Sequence, residues 1–190
     1  TQMDVKLTQS TDAGRTWSEP VIVNDNVDPA GSPTDQFQPT VAAGPDGAVA
    51  IAFYDRRLAC PSDASILPAD VGRVNFCIDT TLQAYKDTGS GAQSVADNVR
   101  ISEFTWDPEQ PGQHVDGISQ YPCAGHQDPC PNGRGFIGDY FGLAISAGNI
   151  YSLFVSTHYP STVTADEGGP VYHQQQVLAT VPRSTFGPGY

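Results

Sequence analysis

The sequence predicts an all-β protein, and three observations lead to that fold class. Its 190 residues include 19 glycines and 16 prolines, which is a turn-rich composition. Short runs with the two-residue alternation of strands recur along the chain, while long runs with helical periodicity are few. A polar octet at residues 10–17 separates two such runs, as a hairpin turn does. A chain of this length can bury one core of its own.

The first predicted element is a hairpin formed by residues 4–9 and 18–23 around that octet. The octet has the pattern S-x-D-x-G-x-T-W, and its fixed residues are Ser10, Asp12, Gly14, Thr16 and Trp17. The aspartate can accept backbone N–H groups of its own turn, the glycine can adopt a positive φ, and the two hydroxyls can tie the strand ends together. We expect the tryptophan to anchor the hairpin on a neighbouring sheet, because it is a large apolar side chain.

The connection over residues 24–36 is rich in oxygen-bearing side chains. Four of them are candidate calcium ligands: Asp25, Asn26, Asp28 and Asp35. Carboxylate and amide oxygens suit Ca²⁺, but their spacing is not that of an EF-hand loop. The alternative interpretation is a solvated connection without a metal.

Residues 37–57 predict the clearest two-strand unit, with strands at 39–43 and 48–54 around a turn at 44–47 that contains Pro, Asp and Gly. The second strand is apolar on both faces, so we expect it to be covered on each side. It ends in a polar cluster, namely Tyr54, Asp55, Arg56 and Arg57. Such a cluster is a candidate functional site, and a local ion pair within the sheet is the alternative.

Residues 58–72 are predicted to form an irregular loop, followed by a strand at 73–80. A Gly- and Ser-rich stretch at 88–97 then precedes a fourth strand at 98–104 and a wide loop at 106–135.

Four cysteines predict two disulfides and an oxidising compartment: Cys60, Cys77, Cys123 and Cys130. Three pairings exist, and we favour Cys60 with Cys77 and Cys123 with Cys130 because each closes a local loop. The alternative for the second pair is a zinc site with His114 and His126, although the spacing is not a standard zinc pattern.

Residues 136–159 look like a second copy of the two-strand unit, with a turn at Gly148 and Asn149 and a strand at 150–156. This copy ends in Ser156, Thr157 and His158, where the first ends in Asp55 and two arginines. Because the charged residues do not recur, they are not required by every repeat, which favours a role in a site. We expect further strands at 171–181 and 184–190.

The charge excludes two classes of partner. A net charge of −12 argues against nucleic acid and against an anionic membrane surface. No apolar run approaches the roughly 20 residues that span a bilayer. Together with the cysteines, this favours a secreted protein.

The octet resembles the Asp-box, or BNR repeat, of the sialidase-like β-propellers, and residues 37–57 and 138–144 are similar to segments of secreted bacterial and fungal proteins of that kind. The resemblance implies that the box links the last two strands of a blade on the rim, away from the ligand-binding face. The chain would then be a partial propeller of about two and a half four-stranded blades, at 1–23, 37–104 and 136–190. The remaining blades would come from the same precursor or from another chain, since propellers manage their edges by radial closure.

For function, the resemblance implies a glycan or small-molecule sugar as partner and leaves two hypotheses. In an exo-sialidase type glycoside hydrolase, Asp55, Arg56 and Arg57 would lie near the pocket, with Tyr54 or Tyr140 as aromatic wall or nucleophile and Asp139 as acid/base. The Arg-Ile-Pro segment that carries the first arginine of those enzymes is absent here. In the alternative, a non-catalytic module would bind glycan or protein through Tyr54, Tyr140, His158 and Tyr159.

Overall fold

The computed structural model describes the chain in segments: residues 2–60, 65–75, 77–106, 108, 114–115, 118–119, 137–156, 158, 160–164, 170–172 and 175–190. These residues fold mainly into antiparallel β-sheet, so the all-β prediction is confirmed. No helix within the described segments has the length and apolar character needed to cross a membrane.

The N-terminal layer is the predicted hairpin. β1 (Lys6–Leu7) pairs with β2 (Val21–Ile22), with Lys6 opposite Ile22, and the octet connects them. The regular strands are shorter than predicted, but the chain stays aligned beyond them, because Ser18 N donates to Gln9 O and Val23 N donates to Val5 O.

The first large sheet is an antiparallel meander whose strands are β3 (Gln36–Ala43), β4 (Ala48–Asp55), β5 (Asp79–Asp87), β6 (Ala92–Ser94) and β7 (Val99–Arg100). β3 pairs with β4 and β4 with β5, and the two short strands β6 and β7 share the far edge of β5. The turn between β3 and β4 is a 3-10 helix at Pro45–Gly47, where Asp46 and Gly47 have φ of 60° and 73°. The predicted two-strand unit is therefore confirmed.

The strand predicted at 73–80 is misplaced. A 3-10 helix at Pro68–Asp70 runs into α1 (Val71–Val74), and the strand begins only at Asp79. The prediction missed β5 because that strand buries polar side chains, among them Thr80 and Gln83, and so lacks an apolar alternation. The predicted strand at 98–104 is likewise reduced to the two residues of β7.

The predicted disulfide between Cys60 and Cys77 is present, with a Cα–Cα distance of 5.2 Å. Asn75 is fully buried beside it. Its side-chain oxygen accepts the Cys60 backbone N–H, and its amide donates to the carbonyl of Leu58. The loop before β5 is thus held by a covalent bond and a buried amide. Cys123, Cys130 and the alternative zinc ligand His126 lie outside the described residues.

The second large sheet has the order β10, β11, β14, with β10 (Gly142–Ile145), β11 (Asn149–Ser156) and β14 (Gln175–Pro182). Two smaller hairpins pair β8 (His114–Val115) with β9 (Ile118–Ser119) and β12 (Pro160–Thr164) with β13 (Pro170–Tyr172). The predicted second copy of the two-strand unit is confirmed in β10 and β11.

The strand predicted at 184–190 is wrong. Residues Arg183–Phe186 form a 3-10 helix, and Gly187 and Gly189 have φ of 101° and 91°. Phe186 is 3% exposed and packs in the core between the two large sheets. The 3-10 helix that follows β14 therefore contributes Phe186 to the core.

The three layers stack on both faces of β4, as its two apolar faces predict. Ile51 and Phe53 pack against the hairpin layer at Val5 and Val23. The alternate residues of β4 form a cluster with Ile150 of the second sheet and with Phe186. At the edge, Gly44 leaves no room for a side chain, since a Cβ would lie 2.5 Å from Ile145 Cγ2.

The strand registers align the layers so that they share two opposite ends, which we call the octet end and the Asp55 end. The octet end carries the octet and the turns at 45–47, 88–91 and 146–148. The Asp55 end carries the end of β4, where Asp55 lies opposite Asp79, and the beginning of β10 and the end of β11. A hydrogen bond from Val155 N to Tyr54 Oη joins the two large sheets near the Asp55 end.

Candidate functional site

The predicted cluster at the end of β4 is centred on a buried carboxylate. Asp55 is fully buried and accepts four hydrogen bonds from described residues. Its Oδ1 accepts from Gln36 Nε2 and Arg57 N at 3.1 Å each. Its Oδ2 accepts from Arg57 Nε at 2.6 Å and Thr81 Oγ1 at 3.0 Å. Because both oxygens are saturated by donors, this carboxylate organises its surroundings.

Arg57 extends the cluster across the layers. Its Nη1 lies 2.6 Å from Asp25 Oδ1, and its Nη2 donates to Asn98 Oδ1 at 3.0 Å. The other oxygen of Asp25 accepts the Asn98 backbone N–H at 2.8 Å. Burial opposes the charge on Asp25, but the hydrogen bonds from Arg57 and from the Asn98 backbone hold the pKa of its carboxyl below the ordinary value.

Arg56 pairs with the same connection at a second point. Its Nη1 lies 3.0 Å from Asp35 Oδ2, and Asp35 Oδ1 accepts the Met3 backbone N–H at 2.9 Å. Both adjacent arginines therefore bind carboxylates that follow the hairpin layer. This geometry agrees with the ion-pair alternative, and a catalytic role for these residues stays a prediction.

A second buried carboxylate network, which sequence reasoning missed, lies directly opposite. Asp79 is 2% exposed and accepts from Arg100 Nε at 2.6 Å, Ser102 Oγ at 2.8 Å and Thr105 Oγ1 at 2.8 Å. The signal in the sequence was the polar triplet at 79–81 in front of Leu82, which is unusual for a buried strand. At the Asp55 end of the first sheet, two buried aspartates on neighbouring strands, Asp55 and Asp79, are therefore each paired with an arginine.

Tyr54 lies in the core. It is 1% exposed, and its ring centroid lies 4.3 Å from that of Phe141, 5.5 Å from Phe37 and 5.8 Å from Trp106. Burial raises the pKa of its phenol to about 12, and the oxygen accepts the Val155 backbone N–H. Its position is that of a packing residue that joins the two large sheets.

The remaining predicted residues lie at the Asp55 end and are more open. Asp139 is exposed and Tyr140 is 88% exposed, next to Gly138, whose carbonyl accepts from Gln38 Nε2 at 3.0 Å. His158 stacks on Phe104 with a centroid distance of 3.8 Å and an interplanar angle of 11°. Tyr159 lies outside the described residues. We call Phe104, Tyr140 and His158 the aromatic group of the Asp55 end.

The four candidate calcium ligands do not converge. Asp25 and Asp35 bind arginines, while Asp28 accepts from the hydroxyl and backbone N–H of Thr34 at 2.8 Å each. Asn26 accepts from Asn24 Nδ2 at 2.7 Å. The described residues contain no cluster of three or more His, Cys, Asp or Glu that could hold a metal. All four candidates therefore have hydrogen-bond or ion-pair partners within the protein, and calcium binding by this connection stays a prediction.

The octet at the opposite end has its expected hydrogen bonds. Asp12 Oδ1 accepts the backbone N–H groups of Arg15 and Thr16 at 3.0 and 2.9 Å, and its other oxygen accepts from Thr16 Oγ1 at 2.7 Å. Ser10 Oγ donates to Asp12 at 2.8 Å, so both hydroxyls tie the turn through this carboxylate. The Thr16 backbone, followed by the two hydroxyls, lowers the pKa of Asp12 to about 2. Gly14 has the expected positive φ of 84°.

The expectation that Trp17 anchors the hairpin on a sheet is wrong. Trp17 is 62% exposed, and its Nε1 donates to Gly14 O at 3.2 Å. A Cβ on Gly14 would lie 3.9 Å from the indole ring, so the ring covers its own turn. Val5 and Val23, close to the ends of the hairpin strands, hold the hairpin on the first sheet instead.

Comparisons with known proteins identify no relative: no family model matches the chain, and no curated protein or solved structure does.

Proposed function

We propose that this chain is a secreted, propeller-type module that binds glycans through the Asp55 end without cleaving them. The stacked antiparallel layers, the meander of the first sheet and the hairpin octet support a blade-like architecture. The disulfide between Cys60 and Cys77 supports an oxidising, extracellular location.

The observation that carries this proposal is the stacked ring pair of Phe104 and His158. Phe104 is 38% exposed, and the pair lies at the Asp55 end, where Tyr140 is also exposed. The C–H face of a sugar ring is apolar and packs on flat aromatic rings, while their polar edges reach its hydroxyls. Accessible rings at one end of a rigid sheet stack provide such a surface.

The same geometry argues against hydrolysis by the cluster at the end of β4. An enzyme of this kind needs a carboxyl group and an activated nucleophile that converge on one pocket. Here the Asp55 carboxylate is fully buried and hydrogen-bonded, and both arginines pair with aspartates. Burial raises the pKa of Tyr54, which is the direction opposite to the one that activates a phenol as a nucleophile.

One observation favours the second candidate function, an exo-sialidase type hydrolase. Asp139 and Tyr140 are exposed at the Asp55 end, where a substrate could reach both. A sialic acid is anionic, however, and the net charge of −12 repels it at long range.

Glycan binding tests the proposal. We would measure binding of the intact chain to immobilised neutral oligosaccharides and to sialyllactose, with the variants His158→Ala and Tyr140→Ala. We expect at least one variant to weaken binding about tenfold, equivalent to about 1.4 kcal/mol. The matched control is Trp17→Ala, which removes an exposed ring at the octet end and should leave binding unchanged.

Two results would contradict the proposal. One is the absence of binding to every glycan in the panel. The other is turnover of a fluorogenic α-sialoside that is lost in Tyr140→Ala or Asp139→Asn, which would establish the hydrolase instead.

A further inference from the structure

A groove of about 370 Å³ lies between the hairpin layer and the edge of the first sheet. Val21, Ile22 and Val23 of the hairpin form one wall, and Ala92, Gln93 and Ser94 of β6 form the other. Its volume falls within the roughly 300–1,000 Å³ of ligand pockets. The groove is separate from the aromatic group of the Asp55 end, and the proposed function makes no use of it.

On the outer edge of β6, the Gln9 side chain hydrogen-bonds the backbone of Ala92 as a neighbouring strand would. The side-chain amide of Gln9 donates from Nε2 to Ala92 O at 3.0 Å, and its Oε1 accepts the Ala92 backbone N–H at 2.6 Å. A primary amide thus makes the pair of hydrogen bonds that a residue of an added strand would make. Ala92 therefore directs both backbone groups away from β5.

The next outward-facing residue is Ser94. Backbone groups in a strand alternate between its two neighbours, so Ala92 and Ser94 face the groove while Gln93 and Val95 face β5. The hydrogen bond from Val95 N to Ala84 O of β5 agrees with this alternation. In the described part of the chain, no strand pairs with the outer edge of β6. An edge of this kind is a template for another strand.

Tyr85 supplies an unused polar group in the groove. It lines the groove and is only 5% exposed, and its hydroxyl makes no hydrogen bond with any described residue. The Tyr85 hydroxyl is not one of the fully buried, unpartnered polar atoms of the described residues, so it opens on the groove and can hydrogen-bond a ligand there.

The charge of the lining selects the class of ligand. The ionisable side chains that line the groove are Asp25, Asp97 and Tyr85, and the lining contains no lysine, arginine or histidine. Asp25 is paired with Arg57, whereas Asp97 has no ion pair among the described residues. The half-exposed Val21 and Ile22, at 51% and 58%, suit apolar side chains of a ligand.

We propose that this groove binds an extended, basic peptide segment, which adds as a strand to the outer edge of β6 through the backbone of Ser94. Recognition by strand addition takes its affinity from main-chain hydrogen bonds and its selectivity from the alternate side chains. The lysine or arginine side chains of the segment would meet Asp97, and its apolar side chains would meet Val21 and Ile22.

The test uses a capped heptapeptide of alternating lysine and valine, with binding to the intact chain measured by fluorescence anisotropy. A matched peptide carries N-methyl groups on alternate amides, which keeps the charge and the side chains but removes the donors. A second matched peptide replaces each lysine by glutamate. We expect the first peptide to bind and the two matched peptides to bind at least tenfold more weakly.

A pair of variants locates the interaction. Ser94→Pro removes the outward N–H, which β5 does not use, and proline is tolerated in edge strands at such positions. Ser94→Ala is its control, since both variants lose the hydroxyl that bonds Gln83 and Ala96 but only the proline loses the N–H. We expect peptide affinity to fall at least tenfold in Ser94→Pro relative to Ser94→Ala, and several-fold in Asp97→Asn.

Several outcomes would overturn the inference. Equal affinity of Ser94→Pro and Ser94→Ala would exclude strand addition at β6, and so would undiminished binding of the N-methylated peptide, a result that does not depend on how a variant folds. Equal binding of the glutamate peptide would exclude the basic class. Absence of binding by the lysine–valine peptide would exclude the proposed ligand class altogether.

Discussion

Replacing Asp55 by asparagine tests whether the cluster at the end of β4 stabilises the fold. The substitution keeps the size of the side chain but turns one carboxylate oxygen into an amide donor. Each oxygen of Asp55 accepts from one N–H of Arg57, which cannot accept in return, so whichever oxygen becomes the amide nitrogen loses that hydrogen bond and faces its donor. Asp55→Asn should therefore destabilise the fold.

The magnitude follows from those bonds. A lost hydrogen bond to a charged group costs about 1.5–3 kcal/mol and the buried donor left without an acceptor costs about 1–3 kcal/mol more, so the variant should lose at least about 3 kcal/mol. Arg57 has 27% of its side chain exposed and keeps Asp25 as a partner, which holds the loss near this lower value. For a chain of this size, about 3 kcal/mol corresponds to a fall in Tm of about 6–12 °C.

The assay is thermal and urea unfolding followed by circular dichroism. Asp139→Asn is the control, because the same chemical change at an exposed carboxylate should shift the free energy of unfolding by less than about 0.5 kcal/mol. A Tm of Asp55→Asn within about 2 °C of the wild type would refute the reasoning. If glycan binding were lost at an unchanged Tm, Asp55 would belong to the functional site.

Three further predictions concern the octet turn, the disulfide and the turn at Gly47. The folded-state pKa of Asp12 is about 2, below the 3.8 of a free carboxyl. The stability that the ionised Asp12 gives to the octet is therefore complete above about pH 4 and is lost as the pH falls through about 2. NMR titration should show a midpoint near 2 for this carboxyl, and a midpoint near 3.8 would contradict the prediction. The double variant Cys60→Ser and Cys77→Ser should lose about 3 kcal/mol in urea unfolding, because the bridge closes a loop with a sequence separation of 17, and unchanged stability would contradict this. Gly47→Ala should lower the Tm more than Gly89→Ala, since both have positive φ but only at Gly47 would a Cβ lie 2.1 Å from Asp87 O; equal shifts would argue against that contact.

The sequence predicted the elements that depend on neighbouring residues. The octet hairpin, the units built from β3 with β4 and β10 with β11, and the local disulfide all follow from turn chemistry, alternation or a short loop. It failed for β5, because the burial of Asp79 and Gln83 depends on partners such as Ser102 and Ser94 in later segments. A polar strand of this kind carries no periodic signal of its own.

The candidate site was predicted as a set of residues but not as an arrangement. Polar groups at the end of a buried strand drew attention to Asp55 and Arg57, yet their partners come from elsewhere: Asp25 lies 32 residues before Arg57, and Asn98 lies 73 residues after Asp25. The same distance in sequence explains why Tyr54 could not be recognised as a core residue, since it is covered by Phe141 of another layer.

The sequence by itself determined an acidic all-β chain, its octet turn, its two-strand units and one disulfide, because these rest on contacts between residues close in the chain. Only the tertiary structure decided that the arginines pair with aspartates across layers, that Trp17 faces solvent, and that a groove opens beside β6. Those features depend on how separate strands stack, and stacking is set by the burial of whole sheet faces, which no short segment encodes.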